Sequence, residues 1–230
     1  MPQRKEVDQT PGNGDGMDFR DTAGWRIFRI MAEFVDGFQF LKDLKKEVTF
    51  FGSARVREGS RWYEEARKLG RMLADAGFTV ITGGGPGIME AANRGAVEGK
   101  GESVGLNIQL PREQRMNAYA KRGMGFHYFF TRKVMLSASA QAYLFFPGGF
   151  GTMDEVSELV EMVQTKKMQR VPIILVGKEH WNGYLDWVKA AMLGSDPPMI
   201  DADDLHIMHV VDSAEEAFAI VKETKERPYF

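Results

Sequence analysis

A glutamate one helical turn beyond a run of glycines is the feature of this sequence that most directly suggests chemistry. The segment Pro147-Gly-Gly-Phe-Gly-Thr-Met-Asp-Glu155 follows the apolar run 142–146 and leads into a helical pattern. Glycines let backbone N–H groups approach an anion without a Cβ in the way. A helix start adds unpaired N–H groups and partial positive charge. Gly148, Gly149 and Gly151 are thus a candidate phosphate cradle, and the Thr152 hydroxyl can cap the helix or bond a phosphate oxygen. From the next turn Glu155 can point back toward the same ligand. A carboxylate beside a phosphate is repelled unless it acts on the sugar end. Cleavage of an N-glycosidic bond offers such a role, because its transition state resembles an oxocarbenium ion. A carboxylate stabilises that ion and can activate water. Asp154 is less well placed, since adjacent helical residues project about 100° apart.

Two further strand ends carry small residues: Gly52-Ser53 after the run 48–51, and Gly83-Gly84-Gly85-Pro86-Gly87 after the run 78–82. A single glycine turn serves a tight strand–helix crossing as readily as a ligand. Two of them on strand–helix junctions favour a ligand, because open parallel sheets bind at the carboxyl ends of their strands. Neither turn has the dinucleotide spacing or a GxxxxGK[ST] phosphate loop, which disfavours nicotinamide chemistry and ATP hydrolysis. Arg132-Lys133 begins a helix, where cations are locally unfavourable; a phosphate or carboxylate nearby removes the conflict. Glu113 follows another strand and is placed to bond a ribose hydroxyl or a base. Arg112 and Arg115 flank it, as phosphate ligands or as part of a solvated loop. His127 reads as a half-buried strand histidine.

The elements that must position these groups alternate regularly. Strand-like runs fall at 48–53, 78–82, 103–110, 126–130, 142–146, 171–177 and 205–211. Helical spacing falls between them, over 62–76, through Ala91 and Ala96, across Val134 and Ala138, after Thr152, over 181–192 and over 214–222. This repetition predicts an α/β fold: a Rossmann-like, doubly wound parallel sheet in one domain, its strands continuously apolar because both faces are covered. Residues 1–20 are polar and rich in Gly, Pro and Asp, and read as a flexible tail. Residues 21–45 carry an apolar stripe from Trp25 to Leu41 that predicts an amphipathic helix packed on its own domain, the other reading being a subunit contact. Residues 46–230 form the nucleotide-binding domain.

Composition narrows the classes. The chain of 230 residues has 43% apolar residues and a net charge of −2, so no basic surface argues for nucleic acid. It has no cysteine and four histidines, at 127, 180, 206 and 209. Disulfides, thiolate nucleophiles and cysteine-rich metal sites are excluded, and no metal site is expected, because His206 and His209 read as facing opposite sides of a strand. No run approaches the roughly 20 apolar residues of a membrane span, and residues 1–16 contain no signal-like apolar stretch. The expectation is a cytoplasmic protein whose partner is a small molecule, not nucleic acid or a membrane.

These residues resemble a known family. Pro147-Gly-Gly-Phe-Gly-Thr-Met-Asp-Glu155 matches the PGGxGTxxE signature of the Lonely Guy family, phosphoribohydrolases of cytokinin riboside 5′-monophosphates often labelled lysine decarboxylases. Arg132-Lys133, Gly83-Gly-Gly-Pro-Gly-Ile-Met-Glu-Ala-Ala and Gly52-Ser53 also fall where that family has them, and the likeness covers roughly 46–225. The resemblance implies hydrolysis of N6-modified AMP to free base and ribose 5-phosphate with no cofactor. It implies Arg132 and Glu155 as catalytic residues. It implies substrate contacts from Glu113, Lys133, Gly148, Gly149, Gly151 and Thr152, to which Gly52, Ser53, Gly83, Gly84 and Gly85 are added as turn residues. It further implies a homodimer or higher homo-oligomer. Phe129 stands where the family has Met, and the 110–117 segment and N-terminal extension look more like the bacterial branch, for which plain AMP or other nucleotides are the alternative substrates. A non-catalytic nucleotide or molybdenum-cofactor carrier shares the fold and is the competing reading. Lysine decarboxylation lacks a recognisable Schiff-base lysine with cofactor partners.

Overall fold

The computed structural model describes residues 23–109 and 116–227. The expected tail and Glu113, with Arg112 and Arg115, lie outside these residues. Seven strands run β1 (Glu47–Phe51), β2 (Thr79–Thr82), β3 (Ser103–Ile108), β4 (Arg122–Phe126), β5 (Ala142–Phe145), β6 (Ile173–Val176) and β7 (Met208–Val211). They form one parallel sheet in the order β4-β3-β2-β1-β5-β6-β7. The order reverses between β1 and β5, which places the topological switch point, and its crevice, at the carboxyl ends of those two strands.

Side-chain alternation along the central strands builds two cores. Val48 and Phe50 of β1, Ala142 and Leu144 of β5, and Ile174 and Val176 of β6 face one side. There they meet α2 (Arg61–Asp75), α3 (Ile88–Glu98) and α7 (Ala214–Val221) through Tyr63, Leu69, Ala92 and Ala217. Phe51, Tyr143, Phe145, Ile173 and Leu175 face the other, against α4 (Phe129–Ala138), α5 (Phe150–Gln164) and α6 (Lys178–Trp187). Every residue of β2, β3, β5 and β6 is buried, as expected of strands covered on both faces.

The N-terminal helix, α1 (Ala23–Lys42), packs on the second of these cores through its C-terminal half, with Phe34, Phe40 and Leu41 partly buried. Gly37 lies directly against Met135 of α4. Trp25, Ile27, Phe28, Met31, Val35 and Phe38 remain exposed. Most of the stripe expected to pack inward, Trp25, Phe28, Met31, Val35 and Phe38, is therefore exposed, and only Phe34 and Leu41 of it, joined by Phe40, pack on the domain.

Three boundaries differ from the sequence reading. The fourth strand is Arg122–Phe126, not 126–130. Its alternating glycines at 123 and 125 hide it from an apolar-run search, and the aromatic run beyond it is a turn and the start of α4. His127 is accordingly an exposed turn residue rather than a half-buried strand histidine. The helix predicted over 181–192 begins earlier, at Lys178, ends at Trp187 and continues as a π-helical turn, Val188–Leu193. A 3₁₀ turn, Ala202–Ile207, occupies the first part of the last predicted strand. Among the described residues no helix is long and apolar enough to cross a membrane, and no cluster of His, Asp or Glu could hold a metal.

Candidate active site

The loops after β1 and β5 meet at the switch point, where the Ser53 N–H donates to the Pro147 carbonyl at 3.1 Å. They border a cavity of about 670 Å³, within the range of small-molecule sites. Gly52, Ser53, Gly83, Arg132, Lys133, Gly149, Gly151, Thr152 and Glu155 all line it. These residues come from four separate stretches of chain, and the fold brings them to one wall and floor.

Gly149 precedes the first turn of α5, which has no side-chain cap. Its first N–H groups thus remain available to an anion. Nothing stands within 4 Å of where a Cβ would be on Gly149 or Gly151, so the approach is open. Gly148 is not part of the lining. A side chain there would collide with the Thr152 hydroxyl, which folds back over it, and its N–H reaches His180 Nε2 at 3.4 Å. Gly148 thus shapes the cradle from behind.

The second glycine turn is mostly engaged by Thr82 and Asn117. The Gly84 N–H donates to Thr82 Oγ1 at 2.9 Å, and the Gly84 carbonyl accepts from the Asn117 N–H at 2.8 Å. Asn117 Nδ2 donates to the Gly85 carbonyl at 3.0 Å and to Asn93 Oδ1 at 3.0 Å. Gly84 and Gly85 are buried and do not line the cavity; Gly83 does. Its place is set by Arg132, whose guanidinium occupies the space a Gly83 Cβ would need. Gly83→Ala is therefore expected to displace the guanidinium, and to lower kcat/KM by roughly a hundredfold for a reaction in which that group takes part. The variant's melting temperature shows whether the fold survives the change.

Arg132 lies near the start of α4. Its Nε donates to the Leu106 carbonyl, within β3, at 2.7 Å, which fixes the plane of the guanidinium. It makes no ion pair with another described residue. Burial pulls its pKa down, and the charge of Glu155 opposes this. Lys133 is committed differently: its Nζ donates to Asp154 Oδ2 at 2.5 Å and pairs with Glu158 Oε2 at 3.2 Å. Burial works against its charge, but the carboxylates of Asp154, Glu155 and Glu158 prevail and raise its pKa.

Glu155 is the unusual group. It is 8% exposed, and its Oε2 is buried with no hydrogen-bond partner among the described residues. Burial pushes its pKa up to about 7, with Lys133 and then Arg132 pulling it down and Glu158 and Asp154 pushing it up. A buried carboxyl poised near neutrality, with one oxygen unspent and a half-buried arginine beside it, is the pattern of a general base.

Several contributors were not identified from the sequence. Glu158 lies three residues beyond Glu155, so helical spacing alone puts it on the same face. Phe150, 96% exposed, and Phe129, 59% exposed, are apolar groups at the cavity mouth, with Arg55 beside them. Asn117 holds the second glycine turn and carries no local signal of that role.

Comparison with known proteins identifies the family. Residues 89–221 match the family described as "Possible lysine decarboxylase". A probable cytokinin riboside 5′-monophosphate phosphoribohydrolase of Oryza sativa subsp. japonica, LOGL5, is 29% identical over 146 residues, covering 62% of this chain and 56% of that protein. The chain thus spans little more than half of that relative. The cytokinin riboside 5′-monophosphate phosphoribohydrolase of Rhodococcoides fascians is 24% identical over 152 residues, 64% of this chain and 75% of the other. Among solved structures, the molybdenum cofactor carrier protein of Chlamydomonas reinhardtii superposes with a TM-score of 0.59 at 21% identity, over 78% of this chain and 97% of that one. The molybdenum cofactor binding protein of Rippkaea orientalis gives 0.56 at 18%, over 76% and 93%. These structures share the fold. With most of its sheet and its glycine–glutamate helix inside the matched region, the chain belongs to the lysine decarboxylase-like, or Lonely Guy, family.

Proposed function

We propose that the protein hydrolyses the N-glycosidic bond of a nucleoside 5′-monophosphate, giving free base and ribose 5-phosphate. One observation carries the reading: Glu155 is buried, unpartnered at Oε2 among the described residues and held near neutral pKa beside Arg132, in the cavity that also contains an open helix start. A protein that only carries an anionic ligand gains nothing from a carboxylate there, since it repels the ligand.

In this reading the phosphate sits on the N–H groups of the first turn of α5, with the Thr152 hydroxyl beside them. Arg132, anchored through Nε, offers its terminal N–H groups to the ligand. The ionised Glu155 faces the anomeric carbon. As the bond from that carbon to the base nitrogen lengthens, its electron pair leaves with the base, which takes up a proton from solvent, to which Glu155 later returns the proton it accepts. The carboxylate stabilises the positive charge left on the sugar and accepts a proton from water, whose hydroxyl joins the anomeric carbon. Glu113 is proposed to contact the ribose or base.

The test is incubation of the purified protein, without added cofactor or metal, with AMP and with N6-isopentenyladenosine monophosphate, followed by assay of base and ribose 5-phosphate. Release from either establishes the activity and ranks the bases. Binding of both with no release overturns the enzymatic reading and favours a carrier.

A further inference from the structure

The cation pair at the start of α4 poses a problem that the active site alone does not solve. Helix starts carry unpaired N–H groups and partial positive charge, and Arg132 and Lys133 add to that charge. The residue preceding the helix, Tyr128, provides no side-chain cap. The missing acceptor comes from elsewhere in the chain. Glu33, on α1, takes the His127 N–H at 2.8 Å on Oε1 and the Tyr128 N–H at 3.3 Å on Oε2. The Thr131 hydroxyl lies 2.6 Å from Oε2 and 2.8 Å from the Tyr128 carbonyl. Both carboxylate oxygens are thus used on the first turn of α4 and the residues leading into it. One helical turn further along the same face of α1, Gly37 sits against Met135. This close approach brings the two helices near enough for the Glu33 side chain to reach. Thr131, which Glu33 holds, is buried and immediately precedes Arg132.

We propose that Glu33 is a positioning residue for Arg132: the N-terminal helix supplies, across the domain, the cap that fixes the first turn of α4. With that turn fixed, the Arg132 guanidinium rests on the Leu106 carbonyl and over Gly83. The extension is in this sense part of the site, although no residue of α1 lines the cavity. The catalytic consequence rests on the hydrolase reading above; the positioning itself does not.

The experiment compares Glu33→Ala and Glu33→Gln with Leu41→Ala, which loosens the same helix on the same core but away from the start of α4. The first readout is the ¹⁵N–¹H signal of the Arg132 Nε–H, assigned by its loss in Arg132→Lys and protected in the wild type by its bond to Leu106. Glu33→Ala is expected to abolish this protection, Glu33→Gln to restore part of it through its remaining acceptor oxygen, and Leu41→Ala to preserve it at a comparable loss of melting temperature. The second readout is turnover of AMP: kcat falls between about ten- and a hundredfold in Glu33→Ala, with KM within a factor of about three. An Arg132 signal unchanged in Glu33→Ala overturns the proposal. So does equal loss in Glu33→Ala and Leu41→Ala, which would reduce α1 to general packing, and so does a protected signal with unaltered kcat. If the wild type releases no base while the signal still depends on Glu33, the positioning stands and the hydrolase reading fails.

Discussion

Replacing Glu155 by Gln is expected to lower kcat about 10³-fold, the scale of a lost general base, while making the chain harder to melt above pH 7. The two effects share one cause. The carboxyl titrates near its ordinary 4.5 in the unfolded chain and near 7 in the folded one, because folding buries it. The folded state therefore holds this proton more tightly. Stability linked to Glu155 is fully present below about 4.5 and is lost as pH rises through about 7, where the buried group must ionise. That difference corresponds to about 3 kcal/mol at alkaline pH. Glutamine keeps the shape without the charge, so the penalty disappears. Thermal melts should show Glu155→Gln several degrees above wild type at pH 8.5, with the gap closing as pH falls from 7 toward 5. In the wild type, kcat/KM should climb with pH through about 7 and then level, since the ionised form is the active one. A glutamine variant that melts lower at pH 8.5, or one that keeps its turnover, contradicts this account of the site.

Arg132→Ala is the second large effect. Loss of a fixed cation aimed at a charged transition state costs on the order of 10² to 10³ in kcat. Arg132→Lys is expected to recover little. An ammonium is a compact point charge, and it cannot bond the Leu106 carbonyl while keeping a planar pair of donors for the ligand. A second signature follows from the charges. Arg132 helps to hold the Glu155 pKa down, so its removal should move the inflection of the residual pH–rate profile above about 7. Lys133 pulls more strongly on Glu155 than Arg132 does, and Lys133→Met should move the inflection further. A profile that stays in place in both variants would mean that the inflection belongs to another group.

The residues of the candidate site were more legible in the sequence than the scaffold that supports them. The glycine–glutamate helix announces itself because all its parts lie within one turn: the small residues, the helix start and the carboxylate need no tertiary contact to be recognised. The sheet was legible for a similar reason, since strands covered on both faces read as unbroken apolar runs. The edge strand Arg122–Phe126 escaped because its alternating glycines break that pattern. The misplaced cations at the start of α4 were recognised as a conflict, but its resolution was out of reach. Glu33 lies 98 residues from Thr131 along the chain, and Asp154 lies 21 from Lys133. Gly84 and Gly85 illustrate the opposite difficulty. A glycine that frees a turn for a ligand and one that lets a turn close on an asparagine look alike until Asn117 is in place.

The seam between β1 and β5 also determines what an isolated piece of this molecule can do. Arg132 is braced against the outer strands on one side of it, through Leu106 of β3 and Gly83 beyond β2, whereas Glu155 belongs to the helix that leaves β5 on the other. Neither half of the sheet holds both groups. A fragment ending before β5 keeps Arg132 without Glu155, and one starting there keeps Glu155 without Arg132. The pairing of Arg132 with Glu155 is thus inherited from the open sheet as a whole, and neither half can be grafted, duplicated or traded alone with that pairing intact.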